Sequence, residues 1–158
     1  MSPLSLALVI AFLFNDLPDS RAMDAMRGAT PFAENLPLYL HDGFDLDRFS
    51  TYVTSRKDFV VLDHHSYFVF TPSDAAESGT QHTKDVKGAI AKWLGDVSNR
   101  LRGNLIIGEW SCGLTPQSLE NEQDADQVSK RFCEEQMKVY ANATAGWAFW
   151  CMSKFLVW

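Results

Sequence analysis

Three short apolar runs in this 158-residue chain each end in polar side chains that can handle protons, and this pattern constrains the fold. The runs at residues 36–40, 59–62 and 104–108 lead into His41-Asp42, Asp63-His64-His65 and Glu109, respectively. Such runs are typical of strands covered on both faces of a parallel sheet. The carboxyl ends of parallel strands share one edge, where α/β proteins collect catalytic groups. We therefore interpret this edge as an active-site rim.

Helical patterns separate the apolar runs. Amphipathic periodicity predicts helices at residues 45–55, 84–101 and 124–141. Further strands are expected within the apolar residues 4–14 and at residues 146–151, and loops at residues 71–83 and 115–123. Strands that alternate with helices predict a parallel sheet with right-handed crossovers. Five strands are too few for a (β/α)8 barrel, so the pattern indicates one domain, residues 1–158, built like half of one.

Composition excludes several classes of function. The hydrophobic fraction of 46% and charged fraction of 22% are typical of a globular domain. A net charge of −6 without a basic patch argues against nucleic acid as a partner. The run at residues 4–14 is too short to span a membrane. The spacing of Cys112, Cys133 and Cys151 is not that of a zinc site, which leaves one disulfide plus a free thiol open. No cofactor is predicted.

Glu109 is the leading candidate for chemistry. A carboxylate at a strand end beside an aromatic residue can serve as a nucleophile or a general acid/base, although a surface ion pair is the alternative. His64 and His65 are adjacent and therefore point to opposite faces of a strand, whereas His65 and Tyr67 share a face. This divergence makes a metal hydrolase that uses His41, His64 or His65 with Glu109 the weaker hypothesis.

Four segments resemble one known family in the right order. Residues 63–70 are similar to the Asp-His-His-x-Tyr-x-x-Phe segment of fungal exo-1,3-β-glucanases of glycoside hydrolase family 5. Residues 108–111 match their Gly-Glu-Trp-Ser nucleophile segment, residues 40–44 resemble their Ile-His-Asp-x-Phe strand end, and residues 146–150 resemble their last strand. The match covers residues 36–151 and corresponds to about strands 4 to 8 of the barrel.

The resemblance implies a (β/α)8 TIM barrel and retaining hydrolysis of β-1,3-glucosidic bonds in β-glucan. It assigns the nucleophile to Glu109 and sugar contacts to His65, Tyr67, Phe70 and Trp150. A retaining glycosidase also needs an acid/base carboxyl about 5–5.5 Å from the nucleophile. The family carries this group in an Asn-Glu-Pro segment, and here Asp16 within Asn15-Asp16-Leu17-Pro18 is the tentative match.

The chain departs from the family pattern, and these departures leave several interpretations of its origin and function open. The first half of the barrel is absent, so the sheet would have open edges that invite self-association. Three interpretations fit such a half barrel: a truncated gene product, a fragment of a longer enzyme, or a half barrel that dimerises. The alternative function is a non-catalytic carbohydrate-binding or decoy protein. Such a protein would keep the aromatic residues Tyr67, Phe70 and Trp150 but lack a competent acid. The family implies an extracellular or cell-wall location, in line with the sequon at residues 142–144, although the apolar run at residues 4–14 is not a clear signal peptide.

Overall fold

A computed structural model describes residues 9–10 and 20–150. Its strands form a single parallel sheet whose spatial order follows the chain order. The strands are β1 (Val9–Ile10), β2 (Leu38–His41), β3 (Val60–Ser66), β4 (Leu105–Trp110) and β5 (Trp147–Phe149). Of the apolar run at residues 4–14, only β1 is described, and it pairs with β2 as a strand. The fold is therefore α/β with a parallel sheet, as the sequence predicts.

The helices lie between successive strands. They are α1 (Ser20–Gly28), α2 (Leu46–Ser55), α3 (Pro72–Ala76), α4 (Gly79–Asp85), α5 (Ala91–Arg100), α6 (Pro116–Leu119) and α7 (Ala125–Ala143), with a 3-10 turn at Ala33–Asn35. A π turn at Val86–Ile90 joins α4 to α5. The predicted helices α2 and α7 begin where an aspartate accepts a hydrogen bond from the first turn: Asp45 from Arg48 N and Asp124 from Gln127 N.

The core lies between the outer face of the sheet and the helices. Register pairs Leu40 with Leu62, and Leu62 with Leu105, so these leucines form one row across three strands. All three are buried, as are Leu94 and Val97 of α5 and Phe132 and Val139 of α7. Burial of these side chains is the main favourable term in folding. The alternate strand residues, among them His41, Asp63 and His65, point to the opposite face of the sheet.

The two segments predicted as loops contain helices. At residues 71–83 the prediction is wrong, because α3 and the start of α4 lie there. Thr71 and Asp74 form a capping box in which each side chain accepts from the other's backbone N–H, and Ser78 caps α4. At residues 115–123 the short helix α6 begins after Thr115. Local hydrogen bonds from caps offset the weak helical pattern of these polar segments.

A disulfide connects the segment after β4 to α7. It joins Cys112 to Cys133, which are 21 residues apart. This pairing is the one-disulfide alternative that the sequence leaves open. Cys151 lies outside the described residues.

Candidate functional site

A bulge in β4 turns Glu109 toward the inner face of the sheet. His64 of β3 pairs with Ile107 of β4, but His65 pairs with Glu109, so Gly108 has no counterpart on β3. Register partners on parallel strands point to the same face. Ile107 therefore follows His64 to the buried helix side, and Glu109 follows His65 to the other side. Bulges of this kind re-aim side chains next to active sites.

His65 of β3 and Tyr67, which directly follows β3, converge on one oxygen of Glu109. Tyr67 Oη donates a hydrogen bond to Glu109 Oε2 across 3.0 Å. His65 Nδ1 lies 3.4 Å from the same oxygen. The side chain of Glu109 is 31% exposed, so it is reached by solvent while held by two polar neighbours. The structure thus brings together the three residues that the sequence predicts at the strand ends.

His65 and Tyr67 line a cleft of about 430 Å³, and Glu109 lies behind them without lining it. The cleft is lined by Phe44, His64, His65, Ser66, Tyr67, Phe70, Thr71 and Asp74. Phe70 packs edge-on against Tyr67, with ring centroids 5.2 Å apart, and is 74% exposed. Asp74 holds the cleft loop because its Oδ2 accepts from Phe70 N and Thr71 N. Exposed aromatic rings beside a carboxylate suit the flat faces of a sugar.

A second cleft, of about 300 Å³, lies between α4 and α7. It is lined by Thr80, Thr83, Lys84, Lys87, Val128, Arg131, Glu134, Glu135 and Lys138. None of the residues that the sequence analysis assigns to the site lines it. We therefore place the candidate site at the cleft beside Glu109, where the strand ends and the predicted residues coincide.

The segment His41-Asp42 holds the turn after β2. Asp42 is fully buried, and its Oδ1 accepts from Phe44 N. Its other oxygen lies 2.5 Å from His64 Nδ1 on the helix side of the sheet. His41 Nδ1 accepts from Gly43 N, and the His41 ring lies 4.2 Å from that of His65. Asp42 therefore positions Phe44 at the cleft.

Phe44 is a cleft residue that the sequence analysis does not assign. It has a positive φ of 64°, which is rare for a residue with a side chain. The ring is 68% exposed and packs edge-on against His41. Such backbone strain clusters at functional sites. The family-like segment at residues 40–44 is the signal that points to this residue.

Asp63, which is buried, and His41, which is half-buried, are titratable groups beneath the site. Burial raises the pKa of Asp63, and the nearby His65 and His41 oppose the rise. Burial also lowers the pKa of His41, as does the adjacent His65. Asp63 is 8% exposed and, like Glu109, is not among the residues that line the cleft. The sequence analysis does not assign it a role.

A buried polar chain ties both site strands to α7. Ser66 Oγ and Tyr140 Oη are hydrogen-bonded at 2.8 Å, and Tyr140 Oη donates to Gln136 Oε1. Gln136 Nε2 then donates to the carbonyl oxygen of Ser111, two residues after Glu109. Burial raises the pKa of Tyr140, although its hydrogen bond with Ser66 acts against this. The phenol therefore stays neutral and can act as a donor at physiological pH.

The two remaining predicted site residues are Trp150 and Asp16, of which the structure describes Trp150. Trp150 is 58% exposed, and its backbone N–H donates to the carbonyl oxygen of Trp110 at the end of β4. It therefore lies at the edge strand beside Glu109's strand, although it does not line the cleft. Asp16, the tentative acid/base, lies outside the described residues.

Neither metal binding nor membrane crossing has a structural basis in the described part of the chain. Among residues 9–10 and 20–150, no group of three His, Cys, Asp or Glu side chains has a geometry that could hold a metal ion. None of the helices in that part combines the length and apolarity needed to cross a membrane.

Comparison with known proteins identifies the relatives of this chain. No protein-family model matches it. Glucan 1,3-beta-glucosidase 3 of Schizosaccharomyces pombe is 33% identical over 77% of this chain. Glucan 1,3-beta-glucosidase 2 of Candida albicans and a glucan 1,3-beta-glucosidase of Yarrowia lipolytica are each 28% identical, over 62% and 70% of it.

The chain is homologous to one part of the fungal glucan 1,3-β-glucosidases. The matches cover 25%, 27% and 33% of the three relatives, so the chain spans about a quarter to a third of their length. A further relative, at 23% identity, is an uncharacterised glycosyl hydrolase of Saccharomyces cerevisiae. All four relatives carry names of enzymes that act on glycosides.

Proposed function

We propose that this chain carries part of the active site of a retaining glycoside hydrolase for β-1,3-glucosidic bonds in β-glucan. The observation that carries the proposal is the convergence of Tyr67 and His65 on one oxygen of Glu109. The names of the relatives supply the substrate class. We assign Glu109 as the nucleophile, because it lies at a strand end beside a cleft with exposed aromatic rings.

The geometry around Glu109 suits a nucleophile that must stay ionised. Tyr67 and His65 both contact Oε2, so we assign the attack on the anomeric carbon to Oε1. A hydrogen bond to the charged form of a carboxylate stabilises that form. Attack would form a covalent glucosyl ester and expel the leaving oxygen, which takes a proton from the acid. Water activated by the same group would then cleave the ester.

A second carboxyl group must supply the proton for the leaving oxygen. We propose Asp16 for this role, on its position after an apolar run and on its resemblance to the family's acid/base segment. A carboxyl from another copy of the chain is the alternative source. Among the described strands, β1 and β5 each pair on one side only, and an unpaired strand edge is a template for such self-association.

The aromatic side chains are proposed to hold the sugar. Phe44 and Phe70 line the cleft. Trp150 directly follows β5, the strand next to that of Glu109, and is exposed. Aromatic rings of this kind bind the apolar faces of glucose units. His65 and Tyr67 add polar contacts near the nucleophile. The ligand in this proposal is a β-glucan or glucoside, with no cofactor.

The architecture and location of the chain are proposed from the same evidence. Five parallel strands in sequential order support one arc of a (β/α)8 barrel, about strands 4 to 8, in a single domain of residues 1–158. The disulfide between Cys112 and Cys133 supports an extracellular or cell-wall location, because disulfides persist in oxidising compartments.

Release of glucose tests this function. Purified wild-type chain, the Glu109→Gln variant and a Glu120→Gln control would be incubated with laminarin and with an aryl β-glucoside. Glu120 is exposed on the segment after β4, so its substitution removes a carboxylate of the same type away from the cleft. We expect release by the wild type and the control and none by Glu109→Gln. Equal release by all three proteins would refute the role of Glu109.

A non-catalytic carbohydrate-binding or decoy protein is the second candidate. The exposure of Phe44, Phe70 and Trp150, at 68%, 74% and 58%, favours it, because stacking on aromatic rings needs no acid. Calorimetric titration with β-1,3-gluco-oligosaccharides would separate the two functions. Binding by a wild-type chain that releases no glucose, retained in Glu109→Gln and weakened in Phe70→Ala, would establish the second.

A further inference from the structure

Asp63 occupies a space that Gly108 leaves open. A Cβ atom built on Gly108 would lie only 2.0 Å from Asp63 Oδ1, so no larger residue fits there without moving the carboxyl group. Gly108 is also the bulge residue that turns Glu109 to the inner face. Its backbone donates a hydrogen bond to Asp63. Asp63 therefore packs directly against the residue before the proposed nucleophile.

The ring of His65 lies between two carboxyl groups. Its Nε2 is 3.7 Å from Asp63 Oδ1, and its Nδ1 is 3.4 Å from Glu109 Oε2. Asp63 Oδ1 is buried and has no hydrogen-bond partner among the described residues. The ring of His41, 4.2 Å from that of His65, closes the other side of the cluster. Asp63 thus faces the nitrogen of His65 that is turned away from Glu109.

We propose that Asp63 is a positioning residue that fixes the His65 ring with its Nδ1–H directed at Glu109. The proposal rests on the proposed function for the role of Glu109, but the proton on His65 can be observed without turnover. Asp63 does not touch substrate. It acts through His65, as the orienting carboxylate of a histidine does in many catalytic sites.

The proton count explains why a carboxyl group is needed at this place. When Glu109 is ionised, the proton on Nδ1 of His65 faces it favourably. Nε2 lies 3.7 Å from Asp63 Oδ1, beyond hydrogen-bond distance, so the proposal requires this pair to close up when the site is organised. One further proton then lies between them: either Asp63 is neutral and donates to Nε2, or Nε2 is protonated and Asp63 is ionised. Both arrangements keep the proton on Nδ1, and both give Glu109, His65 and Asp63 together a net charge of −1. Without Asp63, neutral imidazole is free to move its proton to Nε2, which turns a lone pair toward Glu109.

The surroundings of Asp63 support this shared proton. Burial raises the pKa of Asp63, which favours the neutral carboxyl group, while His65 and His41 favour the ionised one. Asp42, in the turn after β2, adds a further like charge that also raises the pKa of Asp63. On the other side of His65, Tyr67 donates a hydrogen bond to Glu109.

Nitrogen NMR of the histidine rings tests the proposal. The full chain would be labelled with 15N, and His65 would be assigned by comparison with His65→Gln. The variants are Asp63→Ala, which removes the carboxyl group, and Asp63→Asn, whose amide can still donate to Nε2. Asp96→Ala is the control, because Asp96 is an exposed carboxylate on α5. Backbone spectra of each variant would show that it is folded.

We expect the wild type, Asp96→Ala and Asp63→Asn to show a protonated Nδ1 on His65 at neutral pH. Asp63→Ala should show loss of that proton to Nε2. A wild-type His65 with bare Nδ1 would overturn the proposal without any variant, and so would an Asp63→Ala protein that keeps the wild-type nitrogen shifts. Failure of the proposed function is a separate result, because it appears as absent glucose release with the Nδ1 proton in place.

Kinetics provide the second readout if the chain releases glucose. Misplacement of a catalytic group by about 1 Å costs up to roughly 100-fold in rate. We expect Asp63→Ala to lower kcat by roughly 10- to 100-fold with little change in KM, and Asp63→Asn to restore most of it. Equal loss in both variants would contradict a role in holding the His65 proton.

Discussion

Tyr67 Oη donates a hydrogen bond to Glu109 Oε2 across 3.0 Å, although the two residues are 42 positions apart in the chain. The contact joins the segment after β3 to the end of β4 at the mouth of the cleft. Tyr67 reaches Glu109 because the β4 bulge places that carboxylate opposite His65, two residues before Tyr67. The proposed catalytic arrangement therefore depends on one irregularity in the sheet.

Removal of this hydrogen bond should slow catalysis more than it weakens binding. A hydrogen bond to a charged group contributes about 1.5–3 kcal/mol. We predict that Tyr67→Phe lowers kcat for an aryl β-glucoside by roughly 10- to 100-fold, since each 1.4 kcal/mol is about one decade in rate. Steady-state kinetics beside a Tyr39→Phe control would measure this. Unchanged kcat in Tyr67→Phe would show that the hydrogen bond does not support the nucleophile.

The disulfide should stabilise the segment that follows Glu109. Cross-linking Cys112 to Cys133 closes a loop with a sequence separation of 21 residues, for which the loss of unfolded-chain entropy is about 3 kcal/mol. We predict that Cys112→Ser with Cys133→Ser, or reduction by dithiothreitol, lowers the free energy of unfolding by about that amount. Urea titration would measure it. If Cys151→Ser has the same effect as the double variant, the pairing is wrong.

The buried amide of Gln136 should be a stability determinant of the site strands. Gln136 bridges Tyr140 Oη and the carbonyl oxygen of Ser111, and it is fully buried. A leucine would fill the space but leave buried polar groups unpaired, at a cost of about 2 kcal/mol. We predict that loss for Gln136→Leu in thermal unfolding. Gln127→Leu, at an exposed position of the same helix, should change stability by about 0.5 kcal/mol or less.

Stability should fall at low pH partly through Asp58. Burial alone would raise the pKa of Asp58, but hydrogen bonds from Arg56 and Arg27 outweigh it and hold the pKa at about 2. The folded pKa is thus below the usual 3.8, so ionised Asp58 stabilises the fold above about pH 4. That contribution is lost as pH falls from about 4 to about 2.

The Asp58→Asn variant isolates this contribution. Its carboxyl group is 20% exposed, so solvent screening reduces the expected effect to about 1–2 kcal/mol at neutral pH. The difference between wild type and variant should shrink toward pH 2. Unfolding measured across this pH range, with exposed Asp96→Asn as control, provides the check. A difference that stays constant with pH would contradict the role of Asp58 ionisation.

The sequence alone predicts the residues of the candidate site, but it does not predict the bulge and the buried carboxyl group that support them. The strand-end rule and two-residue alternation are local properties, and they suffice to place Glu109, His65 and Tyr67 at one edge. The bulge at Gly108 is not local: regular alternation would send Glu109 to the buried face of Ile107, and only pairing with β3 reverses it. Asp63 is missed for the same reason, because its role depends on the space beside Gly108.

The segment at residues 71–83 shows a second limit. Its polar composition predicts a loop, yet Thr71 and Asp74 carry the capping-box signature three residues apart. That signal is present in the sequence and outweighs the absence of an apolar stripe. The disulfide differs, since the choice between Cys112, Cys133 and Cys151 depends on which sulfur atoms the fold brings together.

The most direct test of the account is covalent trapping of Glu109. An activated 2-deoxy-2-fluoro-β-glucoside slows both steps of retaining hydrolysis, and its good leaving group lets the glucosyl ester accumulate. Intact-mass spectrometry of the wild-type chain should show one added fluoroglucosyl group, and peptide mapping should place it on Glu109. Glu109→Gln should gain none. A wild-type chain that stays unlabelled, or a label on another residue, would contradict Glu109 as the nucleophile.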